Sequence, residues 1–253
     1  MGQPIGTLKH KTDRSVSSTA LPKGSDLTNS DMASENPNAA ASEILYSPIS
    51  AGQIRAVTLH RGDSSNPLRC SLNEVALEDP PRYQALSYVW GSKADPATII
   101  LNGQPFQVTE NLNEALKQLR SPTADHTLWV DALCINQEDV PERNAQVQLM
   151  RTIYANADRV LLWLGPEAED SDLVMEMLRA MESQDFEPRF MTALVQSDLF
   201  LFSPLVALLF GRAYWSRVWV VQELAYAKDV LLVCGSQQIF LRKRHQIYGY
   251  LKK

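Results

Sequence analysis

Arg159 to Gly165 reads RVLLWLG, and Asp229 to Gly235 reads DVLLVCG. Each is a short, continuous apolar run closed by a glycine, and Pro166 follows the first. A strand that is apolar at every position needs cover on both faces. That is the environment of a sheet with helices packed on either side. Both runs fall far short of the ~18–20 residues needed to cross a bilayer. The longer LFLFSPLVALLF (Leu199–Phe210) is interrupted by Pro204 and reads as core rather than as a membrane segment.

Helical patterns alternate with these strands from residue 111 onward. NLNEALKQL (Asn111–Leu119) begins with Asn111 and has Glu114 three residues later, a capping arrangement, and Leu112, Ala115, Leu116 and Leu119 share one face. LWVDALCI (Leu128–Ile135) reads as a strand. Asp139 and Glu142 then cap a helix that buries Val147, Met150, Tyr154 and Ala157. Asp170 to Ser183 reads as a helix with Leu173, Met177 and Ala180 inward, and Ala213 to Lys228 as another. Residues 184–210 read as helical pieces broken by Pro188 and Pro204.

The segment before residue 111 is different. IRAVTL (Ile54–Leu59) alternates like a half-buried strand, with LRCSLNEVAL (Leu68–Leu77) as its partner. YQALSYVWG (Tyr83–Gly91) is a further strand. In TIILNGQPFQV (Thr98–Val108), Asn102-Gly103 divides two apolar runs, and this pair tolerates the positive φ angles of a type I′ turn. The expected fold class is α/β: a mostly parallel sheet flanked by helices, with an N-terminal antiparallel hairpin annex.

Residues 1–45 are rich in small and polar residues and poor in large apolar ones, so a disordered tail is expected. Residues 46–240 form the domain, and 241–253 a short basic tail. The net charge of −5 lacks the basic excess of a nucleic-acid binder. No membrane partner is expected. The three cysteines are far apart with no C-x-x-C, and the four histidines are scattered. Neither a disulfide framework nor a metal site is suggested. The cysteine usage fits a reducing, cytoplasmic setting.

Ligands of open α/β sheets gather beyond the carboxyl ends of the strands. Three such ends carry polar or aromatic groups: Ser87-Tyr88-Val89-Trp90-Gly91, Asp131 to Gln137, and Trp163-Leu164-Gly165. Ser87, Tyr88, Trp90, Gly91, Asp131 and Asn136 are therefore candidates for a small-molecule pocket. The alternative is that they satisfy loop backbone and fill the core. Cys134 could be a nucleophile, but no histidine stands near it in sequence, and a buried, inert thiol is the commoner case. Trp215 and Trp219 precede Glu223 by eight and four residues, so on a continuous helix all three share a face. A carboxylate held against aromatic surface is desolvated and its pKa rises, whereas a nearby Arg212 or Arg217 lowers it. Glu223 is then either a tuned acid or a structural partner of an arginine.

Three blocks resemble the fungal heterokaryon incompatibility (HET) family: YQALSYVWGS (Tyr83–Ser92), Leu128–Gly165, and RAYWSRVWVVQELAYA (Arg212–Ala227). The resemblance covers roughly residues 83–235. It implies a role in non-self recognition, in which the domain triggers growth arrest or death when incompatible cells fuse. It implies further regions beyond the last strand, so a truncated or short member is expected. The family is distantly similar to TIR domains, which implies a flavodoxin-like core. It also places Glu223, in WVVQE, at the glutamate of NAD-cleaving members.

In that reading NAD or a related nucleotide is substrate, with no resident cofactor and no metal. Breaking the nicotinamide–ribose bond develops positive charge at the sugar, which a carboxylate stabilises. Tyr88, Trp90 or Trp215 would stack on a base, and Ser87 or Asp131 would hold hydroxyls. No glycine-rich phosphate loop is present, so a dinucleotide would not bind in the Rossmann manner. The competing reading is a non-catalytic death-signalling module that works through a homo-oligomer or a signalling partner. A third is a degenerate, inactive member.

Overall fold

The computed structural model describes residues 45–168, 170–182, 211–217 and 220–241. The expected N-terminal tail, residues 184–210 and the expected basic C-terminal tail lie outside these, apart from Leu45 and Leu241. All the described residues belong to one compact unit.

In chain order the elements are β1 (Gln53–Leu59), β2 (Arg69–Ala76), β3 (Gln84–Ser87), β4 (Pro96–Leu101), β5 (Gln104–Thr109), α1 (Glu110–Leu119), β6 (His126–Trp129), the single turn α2 (Asp131–Cys134) and α3 (Val140–Asn156). They continue with β7 (Arg159–Trp163), α4 (Ser171–Glu182), a 3-10 turn (Ala213–Ser216), α5 (Val220–Tyr226), β8 (Val230–Cys234) and β9 (Gln237–Leu241). The nine strands make one sheet in the order β5-β4-β2-β1-β6-β3-β7-β8-β9.

The α/β class holds, but a mostly parallel sheet does not. The parallel pairings are β6–β3, β3–β7, β7–β8 and β2–β4. Taken together the antiparallel ladders pair more residues: β1 pairs with β2 over its whole length, whereas β3 meets β6 only at Gln84 and Ala85. The hairpins are no annex either, because β1 pairs antiparallel with β6 and carries them into the sheet. Hairpins close through short local turns, whereas parallel strands need crossovers, so the segment before residue 111 adds antiparallel ladders cheaply. The β4–β5 turn is the expected one, with Asn102 at φ 49° and Gly103 at φ 81°.

Within the parallel centre, β3, β6, β7 and β8 stand in spatial order 2-1-3-4, the order of flavodoxin-type doubly wound sheets. The first strand, β3, lies between the second and third. Its carboxyl end, at Ser87, is therefore a topological switch point. Leu161 and Leu162 of β7 and Leu231 to Cys234 of β8 are buried, as their continuous apolar pattern requires.

Several local expectations shift. Thr109, not Asn111, caps α1 by accepting from the Leu112 amide. Asn111 instead donates to the Val89 carbonyl (2.6 Å) and accepts from Trp163 Nε1 (2.9 Å), tying α1 to two strand ends. Asp139 caps α3 as expected, at 3.0 Å from the Glu142 amide. Glu142 does not complete that cap, because it pairs with buried Arg55 at 2.6 Å. Tyr154 and Ala157 are buried, but Ile153 replaces exposed Val147 on the stripe. In α4, Val174 and Met175 are buried and Leu173 is exposed.

Candidate functional site

Ser87 ends β3 with its side chain turned into the protein. Its Oγ donates to Glu223 Oε2. A serine has one proton to give, so the Tyr214 hydroxyl, 2.6 Å away, donates to Ser87 Oγ. Glu223 is 1% exposed. Arg217 grips it with both guanidinium ends, Nη2 to Oε1 at 3.1 Å and Nη1 to Oε2 at 3.3 Å. Arg217 Nη1 also reaches Ser87 Oγ at 3.4 Å, and its guanidinium carbon lies 5.7 Å from the Tyr214 ring centre. Four side chains from β3, the 3-10 turn, its end and α5 thus meet at the switch point.

This meeting depends on a break that the sequence pattern did not suggest. Residues 213–228 are not one helix. The 3-10 turn stops at Ser216, Arg217 is extended (φ −76°, ψ 129°), and α5 begins at Val220. On a continuous helix, six residues of separation would hold Arg217 and Glu223 about 120° apart around the axis. The extended residue turns Arg217 back onto Glu223. Val218, Trp219 and Val220, which follow Arg217, have modest helix propensity, which makes a break there inexpensive. The shared helix face of Trp215, Trp219 and Glu223 therefore does not exist as expected. Trp215 belongs to the 3-10 turn and packs edge-on to Tyr214, centroids 5.2 Å apart. Trp219 lies outside the described residues. Arg212, the other candidate partner for Glu223, instead donates to the Leu164 and Pro166 carbonyls, each at 2.9 Å.

Asp131 stands beside this cluster. Strand β6 ends at Trp129, earlier than expected, and Asp131 opens the single turn α2. Trp90 Nε1 donates to Asp131 Oδ2 at 2.8 Å, and the Ala132 amide to Oδ1 at 2.8 Å. Burial raises the Asp131 pKa against these two bonds and the positive field of Arg217, with Glu223 adding to the rise. The Tyr88 hydroxyl is buried next to Asp131 and held well above its ordinary pKa, first by burial and then by that carboxylate. Cys134 is buried, its thiol pushed up to about 12 by desolvation, and it accepts from the Val130 amide at 3.3 Å. It has the character of an inert core thiol.

The candidates divide into two neighbouring groups. Ser87 and Glu223 belong to the polar cluster, and Asp131 stands beside it, bonded to Trp90. Tyr88, Trp90 and Asn136 line a separate cavity of about 160 Å³, together with Phe106, Leu112 and Gln137. Glu223 is not among the residues lining this cavity. Gly91 sits at the loop beyond β3 with φ +78° and packs against Asn111, a backbone role rather than a wall of the cavity. Tyr214 and Tyr154 were not expected at the site. Burial raises both hydroxyl pKa values, and Glu223 raises them further. The signal for Tyr214 was its place directly before Trp215. Nothing local marks Tyr154, which arrives from α3 by donating to the Leu86 carbonyl at 3.2 Å.

Among the described residues, no group of three or more His, Cys, Asp or Glu side chains could hold a metal ion. No helix among them is long and apolar enough to cross a membrane.

Comparison with known proteins places this geometry in context. The family described as heterokaryon incompatibility protein (HET) matches residues 83–223, from just before β3 to the cluster glutamate. A curated relative, heterokaryon incompatibility protein 6, OR allele, of Neurospora crassa, is 28% identical over 224 residues. The alignment covers 72% of this chain and 33% of that protein, so the chain spans about a third of its relative's length. No solved structure matches.

Proposed function

The chain belongs to the heterokaryon incompatibility family, and from that premise we propose that it acts in fungal non-self recognition, as a signalling module that triggers growth arrest or cell death. The observation that carries this reading is the family match over residues 83–223, which spans the parallel centre of the sheet from β3 to β7 and runs on to Glu223. The name of the Neurospora relative supports the same process. In this reading the output passes through contacts with a second copy or a protein partner, in the cytoplasm. The test is expression of the chain from an inducible promoter in a filamentous fungus. Growth arrest is expected. Normal growth at a verified protein level refutes the proposal.

A finer, catalytic reading is favoured by one observation: Ser87, Tyr214, Arg217 and Glu223 converge at the carboxyl end of β3, where open α/β sheets place their chemistry. There Glu223 would stabilise positive charge at the ribose of an NAD-type nucleotide. The described geometry sets a condition on it, because both Glu223 oxygens are taken by Arg217 and Ser87 and the residue is 1% exposed. Arg217 must swing out before a sugar can reach the carboxylate. The non-catalytic reading needs no such movement. Incubating concentrated protein with NAD and following free nicotinamide separates the two. Release that Glu223→Gln abolishes supports catalysis. Absence of release, with arrest of growth retained by Glu223→Gln, leaves the signalling reading alone.

A further inference from the structure

The polar face of β1, β2 and β6 carries a constellation unrelated to the Glu223 cluster. His60 follows β1, Ser71 lies in β2, and Asp125 immediately precedes β6. The register brings them together. The His60 amide donates to the Arg69 carbonyl, so Ser71, two residues further along β2, is its diagonal neighbour. On the other side Leu59 pairs with His126, which sets Asp125 opposite His60. His60 Nε2 is 2.7 Å from Ser71 Oγ, and His60 Nδ1 is 3.1 Å from Asp125 Oδ2. Asp125 is itself fixed, because its Oδ1 accepts from the Arg61 amide at 2.9 Å. That amide bond first, and His60 second, hold the Asp125 carboxyl below its usual range.

We propose that Ser71, His60 and Asp125 form a serine-nucleophile triad that hydrolyses small carboxylic esters. The roles follow from donor and acceptor capacity. An ionised carboxylate only accepts, so Asp125 selects the His60 tautomer with the proton on Nδ1. Nε2 is then left with its lone pair facing the Ser71 hydroxyl. A base placed at hydrogen-bond distance from a hydroxyl, and oriented by a third group, is the arrangement that activates serine. Strand alternation puts Asn73 on the same face, two residues beyond Ser71, where its Nδ2 donates to Thr58 Oγ1 at 3.2 Å.

In the first step Ser71 Oγ bonds to the ester carbonyl carbon as its proton passes to His60 Nε2. The carbon–oxygen bond to the alcohol then breaks, and His60 returns the proton to the departing alkoxide. Water repeats the sequence on the acyl-serine, giving the carboxylic acid and free Ser71. His60 and Asp125 are 37% and 43% exposed, so the face admits small, unhindered acyl groups.

The experiment treats the full chain with a fluorophosphonate, which reacts with activated serines, and maps the adduct by peptide mass spectrometry. Hydrolysis of p-nitrophenyl acetate is followed in parallel. The expected result is an adduct on Ser71 and an esterase rate that falls about a hundredfold in Ser71→Ala and in His60→Gln. Thermal melts of both variants should match the wild type. An adduct absent from Ser71 in the folded protein overturns the proposal, and so does labelling that persists undiminished in His60→Gln. Because mapping is done on the wild-type chain, the result stands whether or not a variant folds. It is also independent of nicotinamide release, which reads Glu223.

Discussion

Replacing Arg217 by methionine removes a guanidinium that makes two hydrogen bonds to a carboxylate with 1% exposure. Methionine keeps much of the aliphatic stem and leaves Glu223 with Ser87 as its remaining hydrogen-bond donor among the described contacts. Breaking a buried ion pair by removing one partner typically costs about 3–5 kcal/mol, because the other charge stays buried. The low end applies, since the Arg217 side chain is 20% exposed and water already reaches part of the pair. A loss of about 3 kcal/mol lowers the melting temperature of a domain of this size by roughly 6–12 °C. Glu223→Gln is the asymmetric counterpart. It keeps a side chain that can accept from Ser87, and the stranded guanidinium is the partner nearer to solvent, so about 1 kcal/mol is expected. The double variant should cost less than the two losses added, because its second change removes a charge the first left unpaired. Urea unfolding of the four proteins measures the cycle. If Arg217→Met is neutral, or if the losses simply add, the pair does not clasp the end of the 3-10 turn to α5 and the cluster geometry is wrong.

Gly235, at φ +52°, has no room for a side chain: an added Cβ would lie 2.8 Å from Glu167 Cβ and 2.9 Å from its backbone nitrogen. Gly235→Ala should cost about 2 kcal/mol in urea unfolding, and an unchanged midpoint would contradict the tight β8–β9 turn. The Cys134 thiol, raised to about 12, is neutral below that pH, so iodoacetamide at pH 8 should label it only after unfolding. Rapid labelling in the folded state would restore it as a reactive group. Asp139→Ala removes the side-chain cap of α3 and should cost about 1 kcal/mol, whereas Asp139→Asn should cost a few tenths. Equal losses would show that charge rather than the hydrogen bond matters there.

What the sequence disclosed was set by how local each feature is. The Asn102-Gly103 hairpin and the buried runs β7 and β8 are written within a few residues, and they are where expected. The extent of antiparallel pairing was hidden, because the β1–β6 ladder joins segments about seventy positions apart and leaves no periodic trace in either. The cap of α1 was misplaced for a similar reason. Asn111 fits a capping pattern, but its amide is claimed by Val89 and Trp163, and Thr109 takes the helix end. Ser71 and Asp125 lie 11 and 65 positions from His60, so only the strand register could join what looked like scattered histidines and polar strand residues.

The spacing of aromatic residues marks Glu223, but the helix that spacing assumes is not continuous. A continuous helix sets Glu223 on one face with Trp215 and Trp219, whereas the chain breaks after Ser216 and returns Arg217 to it. Its burial was nevertheless foreseeable, because a carboxylate within a run of tryptophan, valine and leucine has little access to water. A carboxylate so placed requires a cation and a hydroxyl, and the fold supplies Arg217 and Ser87. The same requirement makes the cluster a candidate for chemistry and also explains why, as arranged, it is closed. A ligand that needs Glu223 would have to displace Arg217, because Arg217 and Ser87 take both carboxylate oxygens.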